Sequence, residues 1–144
     1  MKLRLFCALA LMLVQSSQAI EKAAPVAGAH PACTATMPIA LPQLYGLWRA
    51  QFEGLDQGAL VLLEAHPEYP GFTGGVSRSG VKSLLAGDLD QGVVGLEESD
   101  DGTRISASWQ GELVEQSCGK EIRGTWTNEI TDRKYPFVLR KLPG

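Results

Sequence analysis

The chain has 144 residues, 44% of them hydrophobic and 20% charged, with a formal net charge of −3. That length supports one domain with a core of its own. The acidic balance and the absence of clustered Lys and Arg exclude the electrostatic footprint that nucleic acids and anionic membranes require.

Residues 1–19 read as a secretory signal peptide. Lys2 and Arg4 form a basic n-region, Leu5 to Val14 an apolar h-region, and Ser17-Gln18-Ala19 a small-residue cleavage site. An apolar run of ten residues falls well short of the roughly 20 needed to span a bilayer, so stable membrane insertion is not expected. Two basic residues and no acidic ones leave with the leader, which moves the mature balance from −3 to −5. The expected location is the bacterial periplasm or the exterior.

Cleavage also changes the cysteine arithmetic. Cys7 lies in the leader, so Cys33 and Cys118 remain as an even pair in an oxidising compartment, and a disulfide between them is expected. In the chain-entropy picture, closing so long a loop contributes about 4–5 kcal/mol. The pair matches neither a C-x-x-C redox spacing nor a metal-ligand spacing.

Residues 20–43 form an Ala/Pro-rich N-terminal arm. Pro25, Pro31, Pro38 and Pro42 interrupt it, and no usable periodicity runs through it. The run Met37 to Leu41 is apolar enough to lie against a domain.

The barrel domain is expected over residues 44–144. All sixteen glycines except Gly28 and Gly144 lie between Gly46 and Gly124, separating short alternating runs. Eight strands are predicted: Leu44–Glu53, Ala59–Ala65, Phe72–Arg78, Val81–Leu89, Val93–Glu98, Arg104–Glu115, Lys120–Thr127 and Lys134–Lys141. Gly111 reads as a bulge in the sixth. No segment keeps a 3.6-residue period long enough for a helix.

Alternation assigns faces. Trp48, Ala50 and Phe52 share one side of the first strand. Ile105, Ala107 and Trp109 share one side of the sixth, Ile122, Gly124 and Trp126 of the seventh, and Tyr135, Phe137 and Leu139 of the last. Ala59 to Leu63 is apolar on both faces, so its outer face needs a cover, for which Met37–Leu41 is the candidate. Eight short strands joined by hairpin-length turns bury their edges by closing on themselves. The expected fold is therefore all-β: a single eight-stranded antiparallel up-and-down β-barrel with an extended N-terminal arm.

With Gly46-Leu47-Trp48 opening the first strand and Arg140 or Lys141 near the end of the last, the pattern resembles the calycins, the avidin-like and lipocalin-like barrels. Ser106-Ala107-Ser108-Trp109 and Gly124-Thr125-Trp126-Thr127 are similar to tryptophan-bearing strands of avidins. The resemblance implies the barrel shape and a basic residue packed on Trp48. The polar set with which avidins hold a ureido ligand is not recognisable here.

Chemistry is sparse. Asp88 and Asp90 are paired carboxylates without a neighbour to raise a pKa. The serines of Gly74 to Gly80 miss the nucleophile-elbow spacing. His30 and His66 are the only histidines, too few to assemble a triad easily. Neither a cofactor nor a metal site is expected, since Glu97 to Gly102 lacks the spaced ligands of a calcium loop.

Two binding readings remain for a non-enzymatic protein. In the first, it binds and inhibits or neutralises a partner protein of the cell envelope, as an inhibitor or immunity protein does. Its contacts would be the rigid loop carrying His66 and Tyr69 and the acidic run of Glu97, Glu98, Asp100 and Asp101. In the second, it is a calycin-type carrier of a small apolar ligand lined by Trp48, Phe52, Trp109 and Trp126.

Overall fold

The computed structural model describes residues 38–144. A four-residue helix, α1 (Leu41–Leu44), leads into eight strands: β1 (Gly46–Phe52), β2 (Ala59–Ala65), β3 (Phe72–Arg78), β4 (Val81–Asp90), β5 (Val93–Ser99), β6 (Ala107–Leu113), β7 (Glu121–Asn128) and β8 (Arg133–Lys141). Each strand pairs antiparallel with the next, and β1 also pairs with β8, so the sheet is a closed barrel in sequence order. Closure leaves no strand edge open to another chain. The expected architecture and all eight strands are present; the arm before residue 38 and Cys33 lie outside the described residues.

The hairpins explain the short connections. Ser79-Gly80 and Gln91-Gly92 both have positive φ at their two central residues, the backbone that matches the twist of a two-residue hairpin. Inside, Trp48, Val61, Leu63, Phe72, Leu96, Trp109, Ile122 and Leu139 are buried, with Leu44 of α1 beneath them. The rings interlock: Trp109 lies 5.1 Å from Phe137 and 5.4 Å from Phe52, centroid to centroid. An eight-stranded barrel is about the size that side chains can fill, and here they do.

Four details depart from the sequence reading. A short helix, α1, does form; Pro42 falls at its start, where a missing N–H costs nothing. A one-turn 3₁₀ helix, Glu115–Ser117, sets up the turn before β7. Gly111 is not a bulge: its pairing with Val94 and Gly124 is continuous on both sides, and the missing side chain instead makes room for Phe137. Ile105 lies outside β6 and is exposed, since the strand begins only at Ala107.

The outer cover predicted for β2 is also not formed by the described part of Met37–Leu41. Ile39 lies against Gly119 and, like Leu41, packs on the core at the barrel end. Leu60 and Leu62 remain 41% and 40% exposed. Helix α1 draws this segment to the end of the barrel, because burying Leu44 there closes the core.

Candidate functional site

One end of the barrel is plugged. Leu44 is fully buried, and its carbonyl accepts a hydrogen bond from the Trp48 indole N–H at 2.8 Å. The Lys141 ammonium sits 6.0 Å from the Trp48 ring and donates to the Gln43 carbonyl at 2.6 Å. Lys141 therefore supplies the basic residue that the resemblance implies. Arg140 points outward, where its guanidinium bonds Glu121 at 3.1 Å and Gln51 at 2.7 Å. With Arg123 also at 2.7 Å, these cations outweigh the upward push of partial burial and lower the Glu121 pKa.

The opposite end holds a charged cluster inside the wall. Val94, Leu96 and Glu98 alternate inward along β5, and Glu98 is only 2% exposed. Its Oε2 accepts the indole N–H of both Trp109 and Trp126, each at 3.1 Å. Arg78, the last residue of β3, reaches the same carboxylate with Nη1 and Nη2, both at 3.5 Å. The guanidinium lies 4.8 Å from the Trp126 ring and 5.5 Å from Phe52, within the range of cation–π attraction. Its Nε is buried without a hydrogen-bond partner among the described residues.

A second feature lies on the outer wall. The register sets Leu47 opposite Leu62, Leu62 opposite Gly75, and Gly75 opposite Leu84. Because Gly75 has no side chain, the row has a notch between two leucines. With Leu60 beside it, the notch becomes a groove of about 550 Å³. Leu84 is 62% exposed. Glu64 and Asp100 border the groove against a single cation, Lys82, and Glu97 faces outward one step along β5.

The candidate residues divide accordingly. Phe52, Trp109 and Trp126 come together, whereas Trp48 belongs to the plugged end. All four are buried among other side chains rather than lining an open space. Glu98 departs from the acidic surface run: strand alternation turns it inward between its outward neighbours, so it cannot serve as a surface contact. Asp100 borders the groove and accepts a hydrogen bond from Ser83 at 2.7 Å.

Asp101 ties its own loop. Its Oδ1 accepts the backbone N–H of Arg104 at 2.8 Å and of Thr103 at 2.9 Å, and Oδ2 meets the Arg104 side chain at 3.1 Å. These donors hold its carboxyl well below the usual carboxylate range. His66 and Tyr69 stack with centroids 3.6 Å apart, and His66 Nδ1 accepts the Glu68 N–H at 3.2 Å within their loop. Among the described residues no group of His, Cys, Asp and Glu is placed to hold a metal ion, and no helix is long and apolar enough to cross a membrane.

Asp101 supports a pH prediction. A depressed carboxylate pKa favours the folded loop above the ordinary carboxylate range, and this is lost only as pH falls through the lowered value. Amide exchange at Thr103 and Arg104 should therefore stay slow as pH drops through 4, and become fast in Asp101→Ala at every pH. Exchange unchanged by that substitution would contradict the assignment.

Arg78 and the interior position of Glu98 were missed in the sequence. The signal was present: the periods Phe72-Gly74-Val76-Arg78 and Val94-Leu96-Glu98 both place a charge on the apolar face. Fold and site together define a closed eight-stranded up-and-down barrel, plugged at one end, with an internal ion pair at the other. No protein-family model matches the chain, and no curated protein matches it.

Proposed function

We propose that this is a non-enzymatic binding protein of the bacterial envelope that docks on a partner protein and inhibits or neutralises it. The observation that carries the reading is the outward row Leu47, Leu62, Gly75 and Leu84. It is an apolar groove on a closed barrel with acidic neighbours at its border. That chemistry fits a partner segment with an apolar side chain for the notch and basic residues for Glu64, Glu97 and Asp100. Electrostatic complementarity of this kind sets association rate and orientation, while the buried apolar centre contributes most of the affinity. The signal-peptide pattern supports a periplasmic or secreted location, and a Cys33–Cys118 disulfide would suit that compartment.

The interlocked interior favours this reading over an apolar-ligand carrier, because the aromatic rings that would line a cavity are packed on one another.

A photo-crosslinking side chain at position 62 should yield one discrete protein adduct in the host envelope. The same group at Thr125, outward on the opposite wall, should yield none. With the captured partner purified, Leu84→Glu should weaken binding by about 2 kcal/mol, roughly thirtyfold in Kd, without lowering Tm. Equal adducts from both positions, or full affinity in Leu84→Glu, would remove the proposal.

A further inference from the structure

We infer that the Glu98 carboxylate and its aromatic frame form a binding site for a guanidinium-bearing ligand, which exchanges with the chain's own Arg78 head group. The two halves of this ion pair are built differently. Glu98 is held by the barrel itself: Oε2 accepts two indole N–H groups from β6 and β7, and Phe52 and Trp126 frame the space above it. Without Arg78, Oε2 keeps both indole donors, while Oε1 and the negative charge are left for another cation to meet.

The cationic half is loosely made. Both Nη contacts are 3.5 Å, whereas charge-assisted N–H···O bonds ordinarily close to about 2.7–2.9 Å. Among the described residues, Glu98 Oε1 has the long Nη1 contact alone, and Arg78 Nε has no hydrogen-bond partner while buried. Arg78 also ends β3 beside the Ser79-Gly80 turn, and its side chain is 25% exposed. Rotation about its side-chain torsions takes the head group to water, where Nε becomes hydrated.

What remains is a carboxylate at the base of an aromatic cup, a combination that recognises a flat, weakly hydrated cation through bidentate hydrogen bonds and stacking. The resting site needs no empty cavity, because the guanidinium of Arg78 occupies it. The site is independent of the outer groove and of the docking proposed there.

Trp109 and Trp126 report occupancy directly. Titrating the folded protein with 1-butylguanidinium should give a saturable change in tryptophan emission. Its neutral isostere butylurea should give none. Arg78→Ala removes the internal competitor and should tighten binding at least tenfold. Glu98→Gln, if it still melts cooperatively, should abolish the response; if it does not fold, the wild-type and Arg78→Ala titrations decide alone. The inference is overturned if the wild type gives no saturable response, if butylurea matches it, if Arg78→Ala binds no tighter, or if folded Glu98→Gln responds as the wild type does. Binding confined to Arg78→Ala also overturns it, since Arg78 would then be a permanent part of the core.

Discussion

Glu98→Leu destabilises the barrel by about 3–5 kcal/mol, mostly the cost of leaving two buried indole N–H groups without an acceptor, at about 1–3 kcal/mol each. In a domain of this size that corresponds to a fall in Tm of roughly 12–20 °C. The substitution takes the acceptor from two buried indole N–H groups and the counter-charge from Arg78. The double variant Glu98→Leu with Arg78→Leu should recover little of the loss, because both indole N–H groups still lack an acceptor. Thermal melts of the two single variants and the double measure the coupling. A Glu98→Leu melt within 3 °C of wild type would show that the cluster contributes little to stability.

Gly124→Ala is expected to cost at least about 3 kcal/mol, the upper range for overpacking a filled core. A Cβ there would fall 2.0 Å from the Gln110 carbonyl oxygen and 2.4 Å from the Gly111 Cα, both backbone atoms that cannot swing away. Gly124 faces Gly111 on one side and Phe137 on the other, and a Cβ on Gly111 would meet the Phe137 ring at 2.9 Å. Gly111 thus leaves the space that ring occupies, while Gly124 lets the neighbouring strand backbone approach. Gly80→Ala is the control. Its Cβ would meet nothing within 4 Å, although its φ is +83°, so it should cost only about 1–2 kcal/mol of backbone strain. Chemical denaturation of both variants would separate steric from conformational cost; equal losses would contradict the steric account.

The glycine of Gly124-Thr125-Trp126 stood out in the sequence as part of a barrel signature, and its necessity follows from contact with a neighbouring strand. Trp109 and Trp126 were legible as inward-facing, but their N–H groups find Glu98 only when β5, β6 and β7 lie side by side. Glu98 illustrates the difficulty. Its neighbours Glu97, Asp100 and Asp101 make it look like one member of a solvated charge run, while strand phase turns it alone into the core. The groove was half legible: the two-faced apolar character of Ala59–Leu63 demanded a partner, yet the cover expected from the chain's own arm plugs the barrel end instead in its described part.

By itself the sequence determined the strand count, the hairpins and the barrel, because alternation and turn chemistry are local properties that each residue carries along the chain. Only the tertiary structure decided which side chains meet: Arg78 with Glu98 across twenty positions, Leu47 with Leu62 and Leu84 around Gly75. Such meetings depend on strand register and closure, which bring distant positions to within a few ångströms and which no local pattern specifies.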